Sequence, residues 1–399
     1  MKLTTLNSSK INVYLDGAKQ TPGHTDVKEA IEHAVNLSEA NPKKRVTYRY
    51  EDMAGKPYEV LVEASATVTV PPVTPPTPTT STTKLFDQTS FWNKKESYVK
   101  HQNSPAFVGE LLKNTTAPGG VWINTVEYTV PFNIVPSGTQ KRIIIQRWKD
   151  GTSATTEPGL TIQKQFNEGF RVPSNVITSL GSDGSCLIWD QEEDSHAELW
   201  QLREEGGQLY ASWGAVLKNV STHTGIVTPA GIGSRASGLA LGGGIIRVHE
   251  LQAGKIPHAL AITMQYPSNK FVWPANRSDG YPGHESWMGS AQNWPITIPE
   301  GQRFRFPSNI TIDPAWSPFI KMCVEAVRDY GLIISDRGGS TAFCCEDPAQ
   351  FITYTNESER RQKGEAIYRE FYGKKADGTL KQPWDILPQF PWNLLEAVA

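Results

Sequence analysis

Residues 186–214 read CLIWDQEEDSHAELWQLREEGGQLYASWG, a pattern typical of consecutive β-strands. An apolar run ends at Asp190, an acidic turn follows, and residues 197–203 then alternate between two faces. The pair Gly206-Gly207 supplies a turn that returns the chain toward Tyr210. The stretch therefore predicts antiparallel strands joined by tight turns.

Short strand-like runs separated by Gly, Pro, Asn and Asp continue outward from this stretch. Further strands are predicted at Val121–Ile123, Val126–Val130, Arg142–Gln146, Ile245–Arg247, Ala259–Met264 and Phe271–Trp273. Helical spacing predicts helices at Ser104–Leu112 and Pro318–Tyr330, and a hairpin is expected to join Leu332–Ser335 to Thr341–Cys345. The predicted fold class is mainly β, with a β-sandwich or jelly-roll-like body and a few helices.

Residues 1–66 predict a separate small α+β domain of βαββ type. Its elements are a strand at Ile11–Asp16, a helix at Asp26–Ala40 and a hairpin of Arg45–Glu51 with Tyr58–Ala64. A unit of this size has little core of its own, so it is expected to pack against a partner. We therefore interpret it as an anchor or adaptor.

The segment 68–83, VTVPPVTPPTPTTSTT, lies within a predicted linker at 67–84. Proline fixes φ and lacks an amide donor, so the linker is expected to be an extended, semi-rigid spacer. It would hold a working body at 85–346 away from the anchor, or serve only as a passive hinge. A C-terminal extension at 347–399 is predicted to wrap across the body or a neighbouring subunit.

Composition excludes several classes of partner. The 399 residues carry a formal net charge of −2, which argues against a nucleic-acid partner. No apolar run is long enough for membrane insertion, and the first ten residues lack the apolar core of a signal peptide. The expected location is a virion or the extracellular space, reached by assembly, lysis or another route than classical secretion, and a homo-oligomer is expected.

The four cysteines do not suggest a scaffold or a zinc site. Cys344 and Cys345 are adjacent, and no CxxC pair or Cys/His ligand spacing occurs. We expect reduced, buried thiols, and a disulfide from Cys186 or Cys323 to the adjacent pair stays open as an alternative. No metal or cofactor is predicted.

Residues 198–213 hold the first candidate site. Alternation places Glu198 and Trp200 on one face, with Tyr210 and Trp213 returning across from them. Aromatic rings beside a carboxylate are typical of sugar-binding sites. As the acid and base of a hydrolase, Glu198 would act with Asp190 or Asp279. The alternative is an aromatic core ladder with Glu198 solvated at its edge.

Two further clusters follow along the chain. The Gly-rich segment 234–244 matches no phosphate-binding motif and leads to Arg247 and His258; a lyase would use His258 with Arg247 and Tyr210 to abstract a proton beside a uronate. The alternative for His258 is a core histidine. The loop at 272–287 carries Trp273, Asp279 and Tyr281, which suit the rim of a groove. The predicted substrate-binding residues are Trp200, Tyr210, Trp213, Trp273 and Tyr281.

An ordered series of short motifs carries a resemblance over residues 91–346. The motifs are Glu198-Leu-Trp200, Ala211-Ser-Trp-Gly214, Ala236-Ser-Gly-Leu239, Gly244-Ile-Ile-Arg247, His258-Ala-Leu260, Trp273-Pro-Ala275, Ser278-Asp-Gly280, Tyr330-Gly331 and Asp336. Together they resemble a group of secreted actinobacterial proteins of uncharacterised activity, which implies an extracellular, glycan-linked setting. This chain has Pro257 where those proteins often carry Asp, so the resemblance does not imply an Asp–His pair.

The layout of anchor, linker and body is similar to that of virion-attached phage tail or fibre proteins. The leading hypothesis is a virion-associated protein that binds a host-surface polysaccharide, with cleavage as a hydrolase or a lyase left open. Residues 1–66 would contact other virion proteins. The alternatives are a non-catalytic structural or receptor-binding component of the particle and a free extracellular glycan-active enzyme.

Overall fold

The computed structural model describes residues 84–95, 97–283, 288 and 295–399, and the backbone of four N-terminal strands. The chain divides into two compact units, residues 1–78 and 79–399. The boundary falls inside the segment 67–84, where the sequence places a linker.

The N-terminal unit contains a four-stranded antiparallel sheet of order β2-β1-β3-β4. Its strands are β1 (Ile11–Leu15), β2 (Ala18–His24), β3 (Val46–Glu51) and β4 (Pro57–Val62). The predicted β3–β4 hairpin is confirmed. Strand β2 was not predicted because it contains Pro22-Gly23, which is tolerated here at the edge of the sheet. The helix predicted at Asp26–Ala40 lies outside the described residues.

The second unit, called the body below, contains seventeen further strands in the described ranges. They are β5 (Val121–Asn124), β6 (Phe132–Ile134), β7 (Lys141–Arg142), β8 (Ile144–Gln146), β9 (Phe170–Arg171), β10 (Cys186–Asp190), β11 (Ser195–Trp200), β12 (Arg203–Glu205), β13 (Gln208–Ala211), β14 (Trp213–Lys218), β15 (Leu260–Met264), β16 (Ser268–Phe271), β17 (Pro299–Glu300), β18 (Arg303–Arg305), β19 (Leu332–Arg337), β20 (Thr341–Cys344) and β21 (Glu396–Ala397). The predicted run of strands through residues 186–214 is confirmed as β10 to β14.

Six α-helices are described. They are α1 (Ser104–Thr115), α2 (Gly159–Asn167), α3 (Val248–Gln252), α4 (Pro318–Asp329), α5 (Glu357–Arg369) and α6 (Pro383–Ile386). Helix α4, which was predicted, begins where the Ser317 hydroxyl accepts the Ile320 amide at 3.2 Å. It ends before Gly331, whose φ of +97° suits glycine. None of the helices in the described ranges has the length and apolar character that crossing a membrane requires.

The body is β-rich and built from several sheets. The largest has six strands in the order β21-β18-β19-β15-β20-β5, and a second has the order β14-β11-β10-β6. Both sheets are mixed, because β15 runs parallel to β19 and β10 runs parallel to β6. A jelly roll consists of antiparallel strands, so that part of the prediction is not confirmed.

The prediction of a hairpin between residues 332–335 and 341–345 is wrong. Strand β15 lies between β19 and β20, parallel to the first and antiparallel to the second. Residues 260–262 of β15 are fully or almost fully buried, so this apolar strand takes the central position. Residues 338–340 consequently cross the end of β15, where the Gly338 amide donates to the Met264 carbonyl at 3.1 Å.

The segment 347–399 contributes to the core of the body. Strand β21 pairs with β18 at the edge of the six-stranded sheet, and the buried Tyr368 hydroxyl donates to the Glu346 carbonyl at 2.6 Å. Asp347 and Arg360 form a buried ion pair at 2.5 Å. All four cysteines are free and buried, as expected.

Candidate functional site

A groove of about 990 Å³ opens in the body where β15 and β19 end. We call it the aromatic groove because five aromatic side chains line it: Trp122, Tyr128, Trp148, Trp200 and Trp213. Trp122 and Tyr128 are 48% and 51% exposed, and the other three rings are half-buried. The volume falls within the range of small-molecule and cofactor sites.

Three of these indoles form one packed wall. Trp213 lies directly across from Trp200 on the paired strands β11 and β14, as the alternation predicts. Trp148 stacks on Trp213 with ring centroids 5.2 Å apart and meets Trp200 edge to face at 6.4 Å. The indole nitrogens of Trp200 and Trp213 donate to Asp183 and to the Gly231 carbonyl. The wall is therefore held in place before any ligand arrives.

The loop at residues 231–241 forms another part of the lining, and two charged side chains position it. Glu198 accepts the Ser234 amide at 2.7 Å and the Leu241 amide at 2.8 Å. Arg277 donates to the carbonyls of residues 231, 233 and 235. Glu198 is fully buried and does not line the groove, so it acts by holding the loop. The alternative interpretation placed Glu198 in solvent at the edge of an aromatic ladder, and its burial contradicts that placement.

Three carboxylates meet at one end of the groove and form what we call the acidic cluster: Asp279, Glu300 and Asp336. Each residue offers an oxygen within 4.8 Å of the others. Asp279 and Asp336 line the groove, whereas Glu300 is fully buried behind them. Of these three, Asp279 is a predicted catalytic residue, Asp336 belongs to the motifs of the resemblance, and Glu300 was not predicted.

Local backbone features aim these carboxylates. On β19 a bulge at residue 335 shifts the register so that Asp336 pairs with Thr263, and bulges of this kind redirect side chains. Asp279 precedes Gly280, where an added Cβ would lie 2.1 Å from the Ser268 carbonyl oxygen. Glycine therefore lets the loop that carries Asp279 lie directly on β16.

Burial and mutual repulsion dominate the electrostatics of the acidic cluster. Burial, followed by the charges of Asp336 and Asp279, raises the pKa of Glu300 to about 9. Burial, followed by the Asp279 charge, raises the pKa of Asp336 to about 7. Asp279 has a cationic partner, since Arg337 lies 3.3 Å from its carboxylate.

The remaining predicted catalytic residues lie away from the groove lining. Asp190 is buried and pairs with Arg171 at 3.2 Å while it accepts the amides of residues 192 and 193. Arg247 pairs with Glu346 and lies 4.0 Å above the Phe132 ring. Asp190, Arg247 and Glu198 are thus each engaged by structural partners, and only Asp279 of the predicted catalytic set lines the groove.

His258 pairs with Glu250 and with no residue of the groove lining. Its Nε2 is 3.1 Å from the Glu250 carboxylate, and its Nδ1 is 2.8 Å from the Ala259 carbonyl oxygen. Its side chain is 13% exposed. The placement agrees with the alternative of a satisfied core histidine, and His258 does not line the groove.

Three predicted substrate-binding residues also lie outside the lining. Tyr210 stacks under the Arg147 guanidinium, 3.6 Å from the ring centroid. Trp273 is 68% exposed and meets Phe91 edge to face. Tyr281 faces the Arg337 guanidinium at 5.0 Å. Of the predicted binding residues, Trp200 and Trp213 are the two that reach the groove.

Sequence reasoning missed Trp122, Tyr128 and Trp148 as lining residues. Trp122 occupies an alternating position on β5 with 48% exposure, which a two-faced strand would have signalled. Tyr128 has a φ of +51°, a conformation that no local pattern predicts. Trp148 contacts Trp213 through tertiary packing. The two residues are 65 positions apart in the chain, so no local pattern predicts the contact.

No family model, curated protein or solved structure matches this chain. The resemblance to secreted actinobacterial proteins and the likeness in layout to phage fibre proteins therefore stay predictions. What the body does must be argued from its own geometry, in which the aromatic groove and the acidic cluster are adjacent.

Proposed function

We propose that the body binds a polysaccharide of a host surface in the aromatic groove. The observation that carries this proposal is the convergence of five aromatic side chains on one open groove. Flat rings present apolar faces against which the C–H faces of pyranose rings pack. The polar groups along the same lining, including Asp183, Ser234 and Arg337, suit hydrogen bonds to sugar hydroxyls.

The preformed wall supports binding of an extended, repetitive ligand. Trp148, Trp200 and Trp213 contact one another, so a ligand does not have to order them. Preorganised contacts lower the entropic cost of association. The rings of Trp122 and Tyr128 are half exposed and offer further contact area.

The proposal extends to the role of the whole chain. The separate N-terminal unit and the Pro/Thr-rich segment support an attachment protein of a virion, in which residues 1–66 dock on the particle and the body meets the host. Particles assembled with a chain that lacks residues 1–66 are expected to lose this protein. If the particles retain it, the anchor role is wrong.

A binding experiment with matched tryptophans tests the glycan proposal. Trp122, in the groove, and Trp384, outside its lining, are 48% and 47% exposed. Trp122→Ala should weaken binding to host capsule or wall polysaccharide about tenfold, which is about 1.4 kcal/mol, whereas Trp384→Ala should not. Isothermal titration or glycan pull-down measures the affinity.

Two outcomes would contradict the glycan proposal. One is the absence of binding to any host-surface glycan, and the other is an equal loss in the two variants. Incubation of the chain with a bound glycan adds a second readout, because new reducing ends or unsaturated products would show cleavage. Binding without products would assign an adhesive role.

A further inference from the structure

The acidic cluster brings together oxygen ligands from three separate segments of the body. Glu300 ends β17, Asp279 lies in the loop after β16, and Asp336 lies near the end of β19. Their carboxylate oxygens lie within 4.8 Å of one another. This spacing matches the distance between two ligands of one hard cation, since each ligand oxygen lies about 2.3–2.6 Å from calcium.

Glu300 is the side chain that makes this arrangement more than a cluster of surface acids. It is 0% exposed, and neither of its carboxylate oxygens has a hydrogen-bond donor among the described residues. The neighbouring Ser278 hydroxyl gives its proton to the Ser268 carbonyl at 3.0 Å. A buried carboxylate without a partner is costly, so a ligand that supplies positive charge would stabilise it.

The arginines around the cluster leave two of its three carboxylates without an ion pair in the described residues. Arg337 pairs with Asp279, which leaves Glu300 and Asp336 without an ion pair in the described part of the chain. The Arg277 guanidinium donates to three backbone carbonyls, and Arg235 donates to the carbonyls of residues 240 and 243.

From this geometry we infer that Asp279, Glu300 and Asp336 bind one divalent cation of the calcium type. The three groups offer only carboxylate oxygens, which calcium and magnesium prefer, whereas zinc favours nitrogen and sulfur. Three carboxylates do not fill the six to eight positions of calcium. Because Asp279 and Asp336 line the aromatic groove, the remaining positions face the groove and are available to water or sugar hydroxyls.

This inference differs from the sequence-based expectation that no metal is bound. That expectation came from the absence of Cys and His spacing patterns. A carboxylate site assembled from residues 279, 300 and 336 has no local spacing to detect. The inference stands independently of the glycan proposal, because ion binding is measurable without any glycan.

Calcium titration of the chelator-treated full chain tests the site. We expect one saturable calcium site with a Kd of about 10⁻⁴–10⁻³ M, the range of open extracellular sites. Asp279→Asn and Glu300→Gln should each weaken calcium binding at least about tenfold. Glu204→Gln, which changes an exposed acid outside the groove lining, and Trp384→Ala should leave it unchanged. Magnesium as the second ion measures the selectivity.

A thermal melt of the same variants gives a second readout. Calcium should raise the melting temperature of the native chain and not that of Glu300→Gln, because only a chain with the site gains binding energy. Absence of saturable binding would overturn the inference. It would mean that protons, and not a cation, neutralise the carboxylates of the cluster. Binding that survives Asp279→Asn and Glu300→Gln would also overturn it. Should Glu300→Gln fail to fold, Asp279→Asn decides alone, since its side chain is exposed.

Discussion

At the scale of single residues, Glu198 shows how a buried acid can serve a binding site without touching a ligand. Its two oxygens accept the amides of Ser234, inside the loop 231–241, and of Leu241, at the end of that loop, which lines the aromatic groove. An acceptor with two fixed donors is a positioning device, whereas a general acid must reach the substrate. Its carboxylate is therefore engaged by the loop.

The first prediction concerns the stability that Glu198 provides. Glu198→Ala leaves two amides without their acceptor and should lower the free energy of unfolding by about 2–4 kcal/mol. Glu204→Ala, a change at an exposed acid on β12, should cost little by comparison. Urea denaturation measures both. Equal stability of the two variants would show that the loop does not depend on Glu198.

The second prediction concerns pH and His258. Burial lowers the pKa of His258, but the Glu250 carboxylate outweighs it and holds the pKa above the ordinary 6.5, against a smaller opposing effect of Arg247. Burial raises the pKa of Glu250, and His258 brings it below the ordinary 4.5. The raised histidine pKa contributes stability that is fully present below pH 6.5 and is lost as the pH rises through the folded-state value.

Comparison of the native chain with His258→Gln checks this sign. The difference in their free energies of unfolding should be largest between the ordinary pKa values of 4.5 for Glu250 and 6.5 for His258, and should shrink as the pH rises through the folded-state pKa of His258. Denaturation at a series of pH values gives the difference directly. A difference that stays constant, or grows with pH, would mean that His258 is not charged in the folded chain.

At the scale of elements, local patterns predicted what a segment forms but not which neighbour it meets. Helix α4 and strands β10, β11 and β13 follow from periodicity and turn residues. The order β19-β15-β20 does not, because residues 332–344 read as a hairpin and only tertiary burial of β15 separates them. Trp200 and Trp213 are the two of the five lining aromatics that were predicted, because both belong to one local sequence pattern. The other three belong to distant segments.

Close packing between elements leads to the third prediction. Gly244 and Gly254 both have a φ of +71°, but an added Cβ would lie 2.5 Å from the Ala261 amide nitrogen at Gly244 and would meet nothing within 4 Å at Gly254. Substitution by alanine should lower the free energy of unfolding by about 1–2 kcal/mol at either position, because the left-handed backbone conformation is strained for a residue with a Cβ. At Gly244 overpacking should add about 1–3 kcal/mol.

Thermal or urea unfolding of Gly244→Ala and Gly254→Ala measures the difference between the two sites. Because the backbone strain is matched, any excess at Gly244 reports the close approach of residue 244 to Ala261 and to the Trp92 ring, each 2.5 Å from the added Cβ. Indistinguishable stabilities would mean that the backbone at β15 shifts to accommodate the methyl group.

At the scale of the whole molecule, distant parts of the chain complete the six-stranded sheet. Strand β21 supplies one edge, where the Val398 amide donates to the Arg303 carbonyl at 2.9 Å and the Gln302 side chain donates to the Val398 carbonyl at 2.8 Å. Ala397 is fully buried. The sequence predicted a wrapping segment here but could not show that it enters the sheet, because two residues carry no periodic signal.

The fourth prediction follows from that edge. Removal of residues 396–399 should lower the free energy of unfolding of the body by about 2–4 kcal/mol, because buried apolar area and several hydrogen bonds are lost. Leu394→Ala, a change at a half-exposed side chain just before the strand, should have a small effect. Calorimetry measures both variants, and a truncated body that melts like the native one would contradict the prediction.

The residues that line the groove come from distant positions in the chain, which matters for the synthesis of the protein. Lining residues run from 119 to 344, and the ribosome releases a chain from its N-terminus onward. A nascent polypeptide cut short before residue 336 lacks part of both the aromatic groove and the acidic cluster. Prematurely terminated products should therefore be unable to compete with complete molecules for a receptor, even where their early strands have already folded.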